Sequence, residues 1–197
     1  MVGHKKYDAC LGKRHAFAMK GLDKRFMTKR SHLVMIAGML CFAAMPAAAQ
    51  DESARYIACI NLTKSDPDTA FDRAMAWRDD GGGMPARHCA ALALDGLGLH
   101  EEAATRLEDL ATSSGNANAD LRTQILAQAS RAWIEADQNE RALAPLDRAV
   151  DLGERAGVPV STQVMVRLDR AALYTVLQQD EKAMEDAQFA LLQPAIP

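Results

Sequence analysis

The sequence predicts an all-α fold built from about four antiparallel helix pairs. Four short acidic or polar turns each lead into an alanine, and small or apolar residues follow that alanine at four and at seven positions. This spacing places side chains on one buried helix face. Twelve residues before each alanine stands another small residue, which allows two antiparallel helices to approach closely. The four alanines are Ala70, Ala103, Ala142 and Ala183, and the earlier small residues are Ala58, Ala91, Ser130 and Ala171.

Residues 1–26 are basic and show no clear hydrophobic period. A secretory signal that starts at Met27 would have the ordinary length of 23 residues, whereas one that starts at Met1 would have 49. We therefore interpret residues 1–26 as an overlong N-terminal extension rather than an arm that binds nucleic acid.

Residues 27–49 have the three parts of a secretory signal peptide. Lys29 and Arg30 supply positive charge, residues 33–44 form an apolar core, and three alanines at 47–49 suit a signal peptidase. The apolar core has 12 residues, too few to cross a bilayer, which needs about 20. The sequence predicts Sec-type export to a bacterial periplasm, with cleavage between Ala49 and Gln50.

The charge of residues 50–197 differs from that of the whole chain. The first 49 residues carry 9 of the 23 basic residues and 2 of the 26 acidic ones, so the remaining 148 have a net charge of −10. An acidic surface repels nucleic acid and anionic lipid. We expect one domain of common size that binds neither nucleic acid nor, once the signal is removed, the membrane directly.

Turn chemistry divides this domain into its helices. Asp66 and Pro67 suit the start of a helix, and Met84-Pro85 repeats that pattern after the glycines at 81–83. These glycines lack the lysine and hydroxyl residue of a phosphate-binding loop, so we interpret them as a turn. Loop residues also occupy 113–118 and 153–159, and the final helix is predicted at about 181–193.

This arrangement resembles the tetratricopeptide repeat, a helix–turn–helix unit of about 34 residues. The anchor alanines are 33, 39 and 41 residues apart, so the last two connections are longer, and the family's glycine before the turn is kept only at Gly98. The resemblance covers residues 50–197. It implies a right-handed α-solenoid of about four units, whose concave face is lined by the first helix of each unit and binds a protein or peptide.

Counting from the anchor alanines, the resemblance also assigns side chains to the partner-binding groove. The asparagines and lysines with which some family members hold a C-terminal carboxylate are missing, so we expect a mixed polar and apolar segment instead. The groove residues assigned in this way are Arg55, His88, Arg131, Glu135, Leu168 and Thr175.

Cys59 and Cys89 are the two cysteines after the predicted cleavage site. An even number of cysteines in an exported protein favours pairing, and the resemblance places both on neighbouring first helices. Free buried thiols are one alternative, and a redox or metal site with His88 and His100 is another. No C-x-x-C spacing supports redox chemistry, so we predict a structural disulfide.

Residues 50–197 contain no recognisable catalytic motif. Their two histidines stand in no H-E-x-x-H pattern, and G-x-S-x-G is absent. Most carboxylates lie at predicted helix ends, where they complement helix dipoles, and Trp77 and Trp133 are expected in the core. We expect no enzyme activity, no metal and no cofactor.

The resemblance implies a periplasmic adaptor for protein–protein interaction, in cell-envelope assembly or cell-wall machinery. The alternatives are a structural homo-oligomer and an accessory subunit of an envelope enzyme. The last helix favours the oligomer, since repeat arrays usually end in a polar capping helix. We expect Ala183, Ala187, Ala190 and Leu191 to face the helix's own unit. Phe189 and Leu192 would then form a second apolar face for a homodimer.

Overall fold

The computed structural model describes residues 47–113 and 118–193, and the structural statements below concern these two ranges. Within them the chain forms eight α-helices and no β-strand. The predicted extension, residues 27–46 of the predicted signal, and the tail at 194–197 lie outside the described residues. The helices are α1 Ala47–Ser65, α2 Pro67–Asp79, α3 Gly83–Gly96, α4 His100–Ser113, α5 Ala119–Glu135, α6 Asn139–Ala156, α7 Val160–Val176 and α8 Asp180–Leu191.

Each helix packs against the next one along the chain. In addition, α1 packs against α3, and α5 packs against α7. Since short connections place successive helices side by side, this pattern of neighbours follows the chain order. The predicted all-α fold with sequential packing is confirmed.

The anchor alanines are buried where the repeat pattern places them. Ala70, Ala103 and Ala142 are fully enclosed, and Ala183 is buried slightly less completely. The apolar residues that follow them, such as Leu107, are also enclosed in the first three helix pairs. The residues of the fourth helix pair are less completely buried, because no further helix of the described chain covers it.

Ala58 does not follow the prediction made for its three counterparts. Ala91, Ser130 and Ala171 are buried, whereas Ala58 is exposed. The physical reason is its place in the first described helix. Ala91 faces a core that neighbouring helices complete, but Ala58 lines an open cavity between α1 and α2.

The turns inside the last three helix pairs share one left-handed backbone position. Gly98, Asp137 and Gln178 each stand five residues before an anchor alanine, with φ of +77°, +57° and +58°. Glycine adopts this conformation freely, whereas a residue with a Cβ is strained. Asp137 and Gln178 therefore adopt the same left-handed conformation as Gly98, with the strain that a Cβ adds.

Of the two predicted helix starts, one agrees with the structure and the other differs from it. Asp66 caps α2, since its carboxylate accepts the Thr69 N–H at 3.1 Å, and Pro67 stands at the first helical position. By contrast, α3 already begins at Gly83, so that Pro85 lies within its first turn. A Cβ at Gly82 would lie 2.4 Å from the Trp77 ring. The close approach of this indole explains a glycine that the turn alone does not require.

The end of α8 differs from the prediction. Leu191 is 84% exposed instead of facing its own unit, and Phe189 is half-buried with the Arg167 guanidinium 4.2 Å from its ring centre. Asp186, not Leu191, is the buried residue in this half of α8. It is 1% exposed and accepts hydrogen bonds from Arg167 and Arg170. A buried ion cluster, which the apolar pattern does not reveal, therefore joins α7 to α8.

Candidate protein-binding groove

A disulfide joins the first helices of the first two helix pairs. Cys59 of α1 is bonded to Cys89 of α3, with the Cα atoms 6.2 Å apart, and both side chains are buried. The cysteine pairing predicted from the sequence agrees with this geometry. The bond fixes α1 against α3 on the side of the fold that was predicted to form a groove.

His88 lies beside this disulfide and is only 5% exposed. Its Nε2 lies 2.6 Å from Oε1 of Gln128, and its Nδ1 lies 2.6 Å from the Tyr56 hydroxyl. An amide oxygen only accepts, so Nε2–H donates to Gln128, and the neutral ring accepts the Tyr56 proton at Nδ1. Both ring nitrogens are thus occupied. His88 links α1, α3 and α5 and is not open to a partner, which corrects its assignment as a groove contact.

Burial shifts the proton affinities in this chain of hydrogen bonds. Loss of solvation lowers the pKa of His88, while the hydrogen bond to Gln128 acts in the opposite direction. Loss of solvation also raises the pKa of Tyr56. Both groups are therefore held in their neutral forms, as expected for a structural link between helices.

The other predicted groove residues on α5 and α7 are exposed. Arg131 and Glu135 extend from α5, and Leu168 and Thr175 extend from α7. An ion pair joins the two helices, with Nη2 of Arg131 lying 3.5 Å from Oδ2 of Asp169. That carboxylate oxygen is buried and has no hydrogen-bond partner within the described chain. The structure thus links α5 to α7 beside Arg131, and the groove formed by the predicted residues stays a prediction.

Two further apolar residues belong to this exposed surface. Ile134 is 38% exposed and stands three residues after Arg131, and Val176 is 62% exposed and stands eight residues after Leu168. These spacings keep each residue on the helix face of its predecessor. We call this surface the α5–α7 face, and it consists of Arg131, Ile134, Glu135, Leu168, Ala172, Thr175 and Val176.

Arg55 occupies a different position from the other predicted groove residues. Its guanidinium lies 5.0 Å from the ring centre of Trp77 and 3.9 Å from a carboxylate oxygen of Asp80. Both partners stand at the C-terminal end of α2. Arg55 therefore belongs to the first helix pair, where it lies at the edge of the cavity that Ala58 also lines.

Within residues 47–113 and 118–193, no three His, Cys, Asp or Glu side chains are grouped so that they would hold a metal ion. None of the helices described is both long and apolar enough to span a membrane. No protein-family model matches the sequence, and no match to a curated protein is found. The proposed function therefore depends on the residues and their geometry.

Proposed function

We propose that this chain is a periplasmic, non-catalytic interaction module of the tetratricopeptide type, which binds a protein or peptide segment on the α5–α7 face. The observation that carries the proposal is the composition of this face. Leu168 and Val176 expose apolar surface beside the charged groups of Arg131 and Glu135. An apolar anchor bordered by charges is the usual anatomy of a specific protein interface.

The packing of the helices supports the repeat interpretation. Consecutive helices are neighbours, and the small residues at the predicted anchor positions are buried. In such arrays the first helices line the inner surface, so the proposed fold is a right-handed solenoid with the α5–α7 face on its concave side. The adaptor role in envelope assembly is part of the same proposal and is drawn from the resemblance.

The charges of this face suggest the chemistry of the partner. Arg131 is only loosely held, since its distance to Asp169 is 3.5 Å and both side chains are partly exposed. A partner carboxylate would approach the exposed side of Arg131 while this arginine stays paired with Asp169, and a partner cation would approach the exposed Glu135. The proposed ligand is a segment with one apolar anchor residue and charges of both signs beside it.

A photo-crosslinking residue at Val176 tests the location of the interface, with one at Thr112 of α4, also exposed, as the matched control. Crosslinking in periplasmic extracts followed by mass spectrometry is expected to capture one protein from Val176 and not from Thr112. Arg131→Glu together with Leu168→Ala is expected to weaken that complex at least about tenfold, because truncating the few central residues of an interface costs more than about 1 kcal/mol each. Arg155→Glu on α6 is the charge control. Equal capture at both sites, or a complex that survives the double variant, would reject the α5–α7 face.

Export is tested separately, by N-terminal sequencing of the chain from a periplasmic fraction. We expect the mature chain to start at Gln50, within the first turn of α1 (Ala47–Ser65). A mature chain that retains residues 33–44 would contradict the proposed signal peptide, while leaving the binding proposal to be judged by crosslinking.

A second candidate function, a structural homo-oligomer, is favoured by one observation. Leu191 and Leu192 are exposed at the end of α8, as is Met184 nearer its start, and within the described chain no helix follows to cover them. Because Phe189 is partly covered by Arg167, the pair of contacts predicted from the sequence, Phe189 and Leu192, becomes Leu191 and Leu192 in this candidate.

A further inference from the structure

A cavity of about 280 Å³ lies between α1 and α2, away from the α5–α7 face. The apolar part of its lining, which we call the floor, includes Ala58, Leu62, Ala76 and Trp77. The two alanines leave space that larger side chains would fill. This volume is close to the lower limit of small-ligand sites, which span about 300–1,000 Å³.

The indole that forms part of this floor is held in place. Trp77 is buried, and Gly82 lies so close to the ring that a Cβ there would be 2.4 Å from it. The disulfide of Cys59, which also lines the cavity, fixes α1 on the other side. The floor is therefore preorganised, and a ligand loses less free energy in ordering such a site.

Two guanidinium groups border the apolar floor. Arg55 has a weak ion pair, at 3.9 Å to the exposed carboxylate of Asp80, and its guanidinium lies 5.0 Å from the centre of the Trp77 ring at the edge of the cavity. Arg73 forms no hydrogen bond and no ion pair within 4 Å in the described part of the chain, and it acts on Asp66 only at longer range. Each guanidinium has five N–H donors, so both keep donors free for an anionic ligand in the described part of the chain.

We propose that this cavity binds a small amphipathic carboxylic acid, with its apolar body against Trp77 and its carboxylate on Arg73 and Arg55. A planar guanidinium and a carboxylate form paired, charge-assisted hydrogen bonds. The apolar floor requires an apolar body, which inorganic phosphate or sulfate lacks. This ligand site is independent of the partner proposed for the α5–α7 face.

The test uses 3-phenylpropanoate as the probe and 3-phenylpropanamide as its uncharged counterpart. The indole N–H signals of Trp77 and Trp133 are followed by ¹H–¹⁵N NMR of the purified chain, with the enclosed Trp133 as an internal control. We expect a saturable shift of the Trp77 signal alone. The amide is expected to bind at least about tenfold more weakly, since hydrogen bonds to charged groups contribute more than neutral ones.

Two variants locate the site. Arg73→Gln is expected to weaken binding of 3-phenylpropanoate about tenfold, and Arg155→Gln at an exposed arginine of α6 is the control without effect. Ala76→Leu, at an exposed helix position that tolerates leucine, is expected to fill the cavity and abolish binding. Circular dichroism checks that both retain their helices. The proposal is overturned if the Trp77 signal does not move, if Trp133 responds equally, if the amide binds as well, or if either cavity variant binds like the original chain.

Discussion

Tyr56 and His88 are hydrogen-bonded at 2.6 Å, and their rings are stacked with 6.0 Å between centroids. The contact spans 32 residues of sequence and joins α1 to α3. On its other side the same histidine holds Gln128 of α5. A single neutral imidazole therefore connects the first helices of three helix pairs.

Acid is expected to weaken the fold through His88. Burial lowers the pKa of this histidine below its ordinary 6.5, so the unfolded chain takes up the proton first as the pH falls. The contribution of the neutral ring is complete above about pH 6.5 and is lost as the pH falls toward the folded-state pKa. Urea unfolding at pH 7.5 and pH 5 measures the loss, which His88→Gln should reduce. Equal losses in both chains would show that other groups cause the acid sensitivity.

Replacing Cys59 and Cys89 with serine is expected to lower the melting temperature by several degrees. The bond closes a loop of 30 residues, for which chain-entropy models give about 3–4 kcal/mol, a large share of the stability of a domain. Thermal unfolding with and without reductant checks this, and the serine variant should no longer respond to reductant. Two free thiols titrated in the unreduced, unfolded chain would contradict the pairing.

Asp186→Ala is expected to destabilise the chain by about 3 kcal/mol, because it leaves Arg167 and Arg170 without their shared buried partner. Asp186 hydrogen-bonds Arg170 at 2.7 and 2.8 Å and is the main reason that the pKa of this guanidinium is raised. Asp151→Ala, which removes an exposed pair with Arg155 on α6, is the control and should cost less than about 0.5 kcal/mol. If chemical denaturation gives the two variants equal stability, the cluster does not hold α8.

Gln178→Gly is expected to stabilise the chain by about 0.5–1 kcal/mol, since glycine removes the strain of a left-handed backbone. The residue has φ of +58°, whereas its neighbour Gln179 has φ of −103°. Gln179→Gly is the control, since it makes the same replacement at a residue without positive φ. It is not expected to stabilise the chain. A urea midpoint that rises equally in both variants, or in neither, would contradict this explanation of the turn.

The exposed end of α8 is expected to drive weak self-association. Leu191→Ser with Leu192→Ser should lower the average mass measured by light scattering after gel filtration at high concentration. Leu97→Ser, at an exposed leucine of the second helix pair, is the control for a general change in solubility. A chain that stays monomeric at high concentration in all three forms would remove the homo-oligomer candidate.

Local patterns predicted much of the fold. The spacing of Ala70, Ala103, Ala142 and Ala183 predicted which helix faces are buried, because one helix turn sets that spacing. The burial of His88 was not predictable, since it depends on Gln128, which is 40 residues away. The burial of Asp186 was missed for a similar reason. From sequence alone an aspartate is predicted to be exposed, and the two arginines that pair with Asp186 are known only from the structure.

Of the candidate site, the residues predicted on α5 and α7 are exposed, and their role in a groove stays a prediction: Arg131, Glu135, Leu168 and Thr175. Val176 was not predicted as part of this surface, although its spacing of eight residues from Leu168 indicates the same helix face. Arg55 lies on α1 as predicted, but its contacts are with Trp77 and Asp80 at the end of α2, which the sequence pattern does not reveal. Local periodicity thus identifies the exposed face of a helix, and tertiary packing decides which exposed faces meet.

The covalent link between Cys59 and Cys89 makes the two ends of this helical array unequal. In the proposed repeat array each unit contacts only its neighbours; α1 is bonded covalently to α3, while the described contacts that hold α8 are non-covalent. Amide hydrogen exchange is therefore expected to be faster in α7 and α8 than in the tied segment of α1 and α3, and reductant should remove much of that difference. The α5–α7 face includes residues of α7, one of the two helices expected to exchange faster. Occupying it would slow exchange there, so a partner is detectable through the protection of α7 even where it contacts few residues.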